Sequence, residues 1–321
     1  MKKHALSRRA ALTRFGALAG AVAASSGLPL ASVPAAEPAA ATGNPFRFCL
    51  NTGTIRGQKL GLVKEIEIAA QAGYQAIEPW VEHIDQYAKS GGSLKDVKQR
   101  VSDLGLVVES AISFPEWIVD DEARRAKGFE RVKYEMDLVS QIGGKRMAAP
   151  PVGATDTPGL DLLKAAERFR ALLELGDQFG IAPQLELWGF SKNLHRLGEC
   201  AYVAIESAHP KACIVADIFH IYKGGSDFKS LSLMSGGAIQ VFHMNDYPAE
   251  PPRDKINDSF RIFPGDGIAP VTAILRSLIA IGGPKVLSLE LFNRKYYEQD
   301  ALEVARAGLE KMKAAVKNAL A

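Results

Sequence analysis

The sequence predicts a single (β/α)8 barrel, the TIM-barrel fold, over residues 46–319, preceded by a cleavable signal peptide. Short β-branched or apolar runs alternate with longer amphipathic stretches, which gives eight strand–helix units of roughly 30–40 residues. The strand runs are almost continuously apolar, as expected for parallel strands that helices cover. No strand is left over and no Gly-x-Gly-x-x-Gly follows the first strand, so a closed barrel is favoured over an open dinucleotide-binding sheet.

The elements follow one another in a regular order. Residues Leu162, Ala166, Phe169 and Leu173 illustrate the helical spacing, and glycines such as Gly73 mark the helix ends. A proline-rich connection over residues 245–267 is longer than the others and interrupts the regular alternation of strands and helices. A loop of that length usually covers a site. The predicted strands are 46–51, 75–80, 106–112, 145–149, 182–187, 212–217, 239–244 and 285–291. The predicted helices include 60–72, 94–104, 122–141, 160–179, 194–207, 268–281 and 300–319.

Residues 1–41 have the composition of a twin-arginine signal peptide. Ser7-Arg8-Arg9 precedes an apolar run of small residues, and an Ala/Pro-rich exit with A-x-A-like sites follows. We therefore expect export to the periplasm by the twin-arginine route, with no stable membrane association after processing. The leader carries five Lys/Arg and one Glu, so the total charge of +3 leaves −1 for residues 42–321. A near-neutral body gives no electrostatic case for nucleic acid as a partner.

Four consecutive predicted strands end in a residue that is costly to bury: Glu186, Asp217, His243 and Glu290. Barrel enzymes act at the C-terminal ends of their strands, so these side chains are expected around one mouth. Three converging carboxylates repel one another, and a divalent cation is their natural counter-charge. Oxygen ligands with one imidazole suit Mn²⁺, Mg²⁺, Co²⁺ or Zn²⁺. His220, three residues after Asp217, is placed on a loop just outside the sixth strand.

These residues stand in motifs that resemble the xylose-isomerase-like TIM-barrel sugar phosphate isomerase/epimerase family, and most closely the inosose isomerases. The resemblance covers about residues 46–319. D-x-x-H, R-x-x-P-G-x-G and Glu-Leu-Phe before an aromatic pair are jointly specific for the superfamily and less so for one substrate. The motifs are CLNTGT, AGYQAIE, QLELWG, VADIFH, VFHMNDYP followed by RIFPGDG, and LSLELFNRKYY.

The resemblance implies roles for individual residues. Glu186, Asp217, His243 and Glu290 would bind the metal, and Glu186 and Glu290 would also act as the catalytic acid/base pair. The residues expected to contact substrate are His220, Arg261, Lys192, Trp188 and Asn51.

The chemistry implied is isomerisation or epimerisation of a small keto-sugar or inosose through a cis-enediolate. Loss of a β-hydroxyl from the same enediolate would instead give a lyase or dehydratase, for instance on a 3-keto-glycoside, and the sequence leaves this alternative open. An endonuclease-IV-like phosphodiesterase is disfavoured because such a site is histidine-rich and only five histidines follow the leader. The intact Glu186 and Glu290 disfavour a sugar-binding protein without turnover. A homo-oligomer is left open.

Overall fold

In a computed structural model of the protein, which describes residues 44–282 and 285–321, eight parallel strands form one sheet. The predicted signal peptide lies outside the described residues. Neighbouring strands pair in the order β3-β2-β1-β8-β7-β6-β5-β4. The strands are β1 Phe46–Asn51, β2 Ala76–Glu78, β3 Val107–Val108, β4 Arg146–Ala149, β5 Ala182–Glu186, β6 Cys213–Asp217, β7 Ile239–Met244 and β8 Lys285–Leu289.

Ala111 closes this sheet into a barrel. Its N–H donates to the carbonyl of Arg146 at 3.1 Å, and its carbonyl accepts from the N–H of Ala148 at 2.9 Å. The next residue, Ile112, bonds back to the segment after β2: its N–H donates to the carbonyl of Pro79 and its carbonyl accepts from the N–H of Val81. The predicted TIM-barrel fold is confirmed, and the third strand is shorter than expected because these later pairs are isolated from its two-residue ladder.

Helices follow the strands and cover the outside of the barrel. The predicted helices agree with the structure to within about three residues at either end, but the helices Val81–Lys89, Ile218–Gly224 and Arg294–Tyr297 were not predicted. Short 3₁₀ segments occur at Thr52–Gln58, Phe228–Leu233 and Asp258–Phe260. The helices are α1 Leu62–Ala72, α2 Val81–Lys89, α3 Leu94–Asp103, α4 Glu122–Gln141, α5 Leu162–Phe179, α6 Leu197–Glu206, α7 Ile218–Gly224, α8 Val271–Ala280, α9 Arg294–Tyr297 and α10 Ala301–Leu320. No helix among the described residues has both the length and the apolar character needed to cross a bilayer.

The short helix α7 corrects the prediction that His220 lies on a loop. Asp217 is in extended conformation at the end of β6, and its Oδ1 accepts a hydrogen bond from the N–H of His220 at 2.6 Å. A carboxylate in this position satisfies a free N–H of the first helical turn, so a helix begins directly after the strand. His220 is therefore buried on a fixed helical turn.

The interior of the barrel is filled by a separate cluster of mostly small side chains, which includes Cys49, Ala76, Val215 and Val241. Side chains alternate across a strand, so the residue two places further along points into the same interior. Those next residues are Asn51, Glu78, Asp217 and His243, which lie at the C-terminal end of the barrel. Strand period therefore places polar groups directly above an apolar floor.

Asp246 fixes the long connection between β7 and α8. Its carboxylate accepts hydrogen bonds from the backbone N–H groups of Tyr247, Gly265, Gly267 and Ala269, at 2.8 to 3.1 Å. A Cβ at Gly267 would lie 2.2 Å from the carbonyl oxygen of Tyr247, so only glycine allows this approach. The loop that carries the R-x-x-P-G-x-G motif is thus held at both ends.

We expect Asp246→Ala to destabilise the protein by roughly 3 kcal/mol, because four donors lose their acceptor and a buried donor without an acceptor costs about 1–3 kcal/mol. The N–H of Tyr247 is buried, and the other three are partly buried and cost less each. At about 2–4 °C per kcal/mol for a chain of this size, the melting temperature should fall by about 6–12 °C in calorimetry. The control is Asp254→Ala, the same substitution at an exposed position of the same loop. Equal melting temperatures for the two variants would contradict the anchoring role.

Candidate active site

Four buried carboxylates face the C-terminal end of the barrel. Glu78, Glu186 and Asp217 are the last residues of β2, β5 and β6, and Glu290 directly follows β8. Parallel strands bring their carboxyl ends to the same face, which is why residues distant in the chain meet here. Glu78 was missed in the sequence, although it also ends an apolar strand and the same rule would have found it.

Asp217, His243 and Glu290 form a three-residue group that could hold a metal, with one donor atom of each within 4.8 Å of the others. His243 Nδ1 lies 3.1 Å from Glu290 Oε2 and 3.9 Å from Asp217 Oδ2, and Nε2 lies 3.1 Å from Glu78 Oε2. Neither ring nitrogen is aligned for a hydrogen bond to these oxygens. Burial opposes a charge on His243, but Glu290 and Glu78 outweigh it and raise the pKa of the imidazole well above its usual value.

Arg261 lies between two of the predicted metal ligands. Its guanidinium is fully buried and donates from one nitrogen to Asp217 Oδ2 at 2.7 Å and to Glu290 Oε2 at 2.8 Å. The other terminal nitrogen lies 2.6 Å from Asp258 Oδ1 and 2.9 Å from His220 Nε2. Since arginine only donates, His220 Nε2 is the acceptor. Burial and the neighbouring Arg261 lower the pKa of His220, which keeps its ring neutral.

Asn51 orients the acidic residues and does not line the cavity. Its amide nitrogen donates to Glu78 Oε2 and Glu290 Oε1, both at 3.0 Å. Its oxygen accepts from Trp80 Nε1 at 3.1 Å and from the N–H of Gly53 at 2.8 Å. The amide expected to contact substrate is therefore occupied by the protein itself.

A cavity of about 160 Å³ opens above this group. Five of the predicted site residues line it: Glu186, Glu290, Trp188, His220 and Arg261. Lys192 does not, because its side chain is exposed on the loop after β5. The remaining lining residues are Trp80, Ile112, Phe114, Phe190, Asp258 and Phe292. A larger cavity of about 610 Å³ at the opposite end of the barrel contains none of the predicted site residues.

Glu186 differs from the other three carboxylates. It lines the cavity but is not part of the three-residue group, and its Oε2 is buried without a hydrogen-bond partner. Burial, with the nearby charge of Glu290, raises the pKa of Glu186 to about 8. For Glu290 the burial effect is outweighed by His243 and Arg261, and its pKa is lowered.

The donor set fits a divalent cation. The four carboxylates of Glu78, Glu186, Asp217 and Glu290 face one guanidinium and one imidazole. With both bases protonated and all four carboxylates ionised, two negative charges would remain, and the raised pKa of Glu186 reflects its burial together with this excess. Asp217 Oδ2 accepts from both Arg261 and Asn245, but Asp217 Oδ1 accepts only from the N–H of His220 and Glu290 Oε2 only from Arg261. These two oxygens each retain a second lone pair, and Glu186 Oε2 has both. Buried charge without compensation is expensive, and a cation beside these oxygens removes that cost.

The chain as a whole matches a known family. The family model for the xylose isomerase-like TIM barrel matches residues 66–315. The chain belongs to this family. The resemblance read from the sequence motifs is confirmed, and the match to this xylose isomerase-like barrel includes all four residues predicted as metal ligands.

Individual proteins similar to this chain show the range of the similarity. The inosose isomerase of Bacillus velezensis is 26% identical over 281 residues, which cover 84% of this chain and 97% of that protein. The 3-dehydroshikimate dehydratase of Pseudomonas putida is 24% identical over 253 residues, 78% of this chain but only 39% of that longer protein. A crystal structure titled as the IOLI protein with a binding zinc atom superposes with a TM-score of 0.79 at 22% identity, and the match covers 84% of this chain and 98% of that one.

Proposed function

We propose that this xylose isomerase-like protein is a metal-dependent enzyme that isomerises or epimerises a small keto-sugar or inosose. The observation that carries the proposal is the presence of two glutamates, Glu186 and Glu290, on one small cavity beside a three-residue group suited to a cation. Similarity to inosose isomerases over nearly their whole length supports the reaction class.

In this proposal Asp217, His243 and Glu290 hold the cation, and Glu186 completes the set from the facing wall. A divalent cation in that position polarises a carbonyl group and stabilises negative charge on the neighbouring oxygen. The similar structure with zinc supports a cation of this class, and we leave Mn²⁺, Mg²⁺, Co²⁺ and Zn²⁺ as the candidates.

The protein's own residues move the proton. One glutamate removes it from the carbon next to the carbonyl, and the other returns it to that carbon or to the adjacent one. Glu186 Oε2, which has no other partner, is free to make the transfer on its side. His220 and Arg261 form the polar wall and hold Asp217 and Glu290 in place, while Trp188 and its aromatic neighbours exclude water from the carbanionic stage.

A second candidate is a lyase or dehydratase that uses the same site. The similarity to 3-dehydroshikimate dehydratases favours it, because elimination begins with the same proton removal next to a carbonyl. The two candidates differ only in whether a β-hydroxyl leaves after the proton does.

One experiment tests both candidates. Metal-loaded protein is incubated in D₂O with inososes, keto-hexoses and 3-keto-glucosides, and products are followed by NMR and ultraviolet absorption. Deuterium next to the carbonyl without loss of water supports the isomerase, and an absorbing enone supports the lyase. If none of these substrates gave either deuterium exchange or an enone, the result would contradict proton transfer at this site.

We also propose that the enzyme works in the periplasm after twin-arginine export. The supporting observation is the Ser7-Arg8-Arg9 leader described above. Mass spectrometry of periplasmic protein should give an N-terminus near residues 36–42, and replacing Arg8 and Arg9 by lysine should retain the protein in the cytoplasm. Full-length wild-type protein confined to the cytoplasm would refute the proposal.

A further inference from the structure

Four aromatic rings, which we call the aromatic arc, run along one side of the cavity. The arc consists of Trp80, Phe114, Trp188 and Phe190, contributed by the segments after β2, β3 and β5. The ring centroids are 5.0 Å apart for Trp80–Phe114, 6.0 Å for Phe114–Trp188 and 5.1 Å for Trp188–Phe190. Contacts of this length connect the rings into one continuous apolar surface.

The arc rises from the buried part of the cavity to its outer rim. Trp80 is 7% exposed, whereas Phe114 and Phe190 are 42% and 46% exposed. Neither phenylalanine belongs to the two core clusters, so the folded barrel does not need these rings for its core. Two exposed phenylalanines that line an active-site cavity mark a surface for a ligand.

The charge of the cavity restricts what can bind there. Among the described residues that line it, Arg261 is the single cation, and its terminal nitrogens already contact Asp217, Glu290, Asp258 and His220. The lining therefore leaves no unpaired cation for a phosphate or carboxylate. Outside the lining, the guanidinium of Arg56 stacks on Trp80, 3.9 Å from its ring centroid. The lining beside Phe114 and Phe190 therefore suits an uncharged group.

The size of the cavity separates two parts of a ligand. At about 160 Å³ the cavity is smaller than the roughly 300–1,000 Å³ of pockets that enclose drug-sized ligands, so it suits one sugar ring and has no room for two. A second ring attached to the first would have to lie at the rim. Its apolar face would then stack on Phe114 and Phe190.

We propose that Phe114 and Phe190 form a subsite for a second, uncharged ring, so that the substrate is a glycoside whose reacting ring carries the keto group, and not a free monosaccharide. The inference deepens the proposed function and rests on it for the position of the reacting ring beside Glu186 and Glu290. The second ring can be an aryl group or another sugar, since both present a flat apolar face to an aromatic side chain.

Calorimetric titration of the full-length, metal-loaded protein tests the subsite. The probes are methyl, phenyl and glucosyl glucosides in both anomeric forms, which differ only in the attached group and carry no keto group to react. We expect at least one ring-bearing glucoside to bind about tenfold more tightly than its methyl counterpart, because stacking on two rings is worth about that much. If only the phenyl glucoside binds more tightly than the methyl glucoside, the second ring is an aryl group. If the glucosyl glucoside binds more tightly, the second ring is a sugar.

Variants of Phe114 and Phe190 test whether these two side chains cause the tighter binding of the ring-bearing glucosides. In Phe114→Ala/Phe190→Ala the ring-bearing and methyl glucosides should bind within about twofold of each other, and each single variant should lose part of the difference. Tyr202→Ala, which removes a ring of similar exposure (39%) on α6, should keep the full advantage. A ring advantage that persists in the double variant would overturn the subsite, as would wild-type protein that binds no ring-bearing glucoside more tightly than the methyl glucoside.

The outcome is independent of the reaction itself. Deuterium exchange into a free keto-sugar, with no ring advantage in binding, would remove the subsite and leave the proposed function standing. A ring advantage without any exchange would leave the subsite and contradict the proposed reaction.

Discussion

Asp217→Ala should lose nearly all bound metal, whereas wild-type protein purified without chelator should contain about one divalent cation per chain by elemental analysis. Removal of the carboxylate takes one of three converging donors away from His243 and Glu290. Residues that merely orient a metal ligand are worth about 10–100-fold in metal affinity, so loss of a ligand itself should cost more. The substitution also leaves Arg261 with one acceptor fewer.

Asp258→Ala is the matched control, because Asp258 bonds to the same guanidinium but lies outside the three-residue group. That variant should retain its metal, and melting curves of both variants show whether the fold is intact. A folded Asp217→Ala protein with full metal occupancy would contradict the assignment of Asp217 as a ligand.

Glu290→Gln should lower turnover by about 10²–10⁴-fold even when metal is restored to saturation, provided that the substrate has been identified. The amide keeps an oxygen that can bind a cation and accept from Arg261, but it cannot take up the proton. Were Glu290 only a ligand, the same change would lower metal affinity and leave turnover at saturating metal nearly unchanged. Measuring kcat against metal concentration therefore separates the two roles.

Glu186→Gln should cause a loss of similar size, because proton return requires a carboxylate on each side of the reacting carbons. Near-normal turnover of metal-saturated Glu290→Gln would show that another group moves the proton. His220 is then the first candidate, since its ring lines the cavity, while Lys192 is exposed on the surface.

The sequence by itself predicted the barrel and the level of the site within it. An acidic residue or histidine at the end of an apolar strand is costly to bury and therefore indicates a functional site. Four such strands in succession indicated one site at the C-terminal end of the barrel. The prediction works because strand period and parallel direction are local properties that place Glu186, Asp217, His243 and Glu290 on the same face. Glu78 obeys the same rule and could have been found in the same way.

Tertiary structure alone decided how these side chains are used. Arg261 reaches Asp217 and Glu290 because Asp246 anchors a long loop, and no spacing in the chain predicts that position. Asn51 was expected at the substrate, but the barrel brings Glu78 and Glu290 within reach of its amide and uses it for orientation.

The aromatic arc is a further property of the fold alone. The sequence motifs single out Trp188 but not its contacts, because Trp80, Phe114 and Trp188 lie on separate segments more than thirty positions apart along the chain. Closure of the barrel brings those loops to one rim, where the rings make contact. The pattern within a strand determines which face each of its residues occupies. Contacts between loops depend instead on closure of the barrel, which requires all eight strands and cannot be predicted from any one of them.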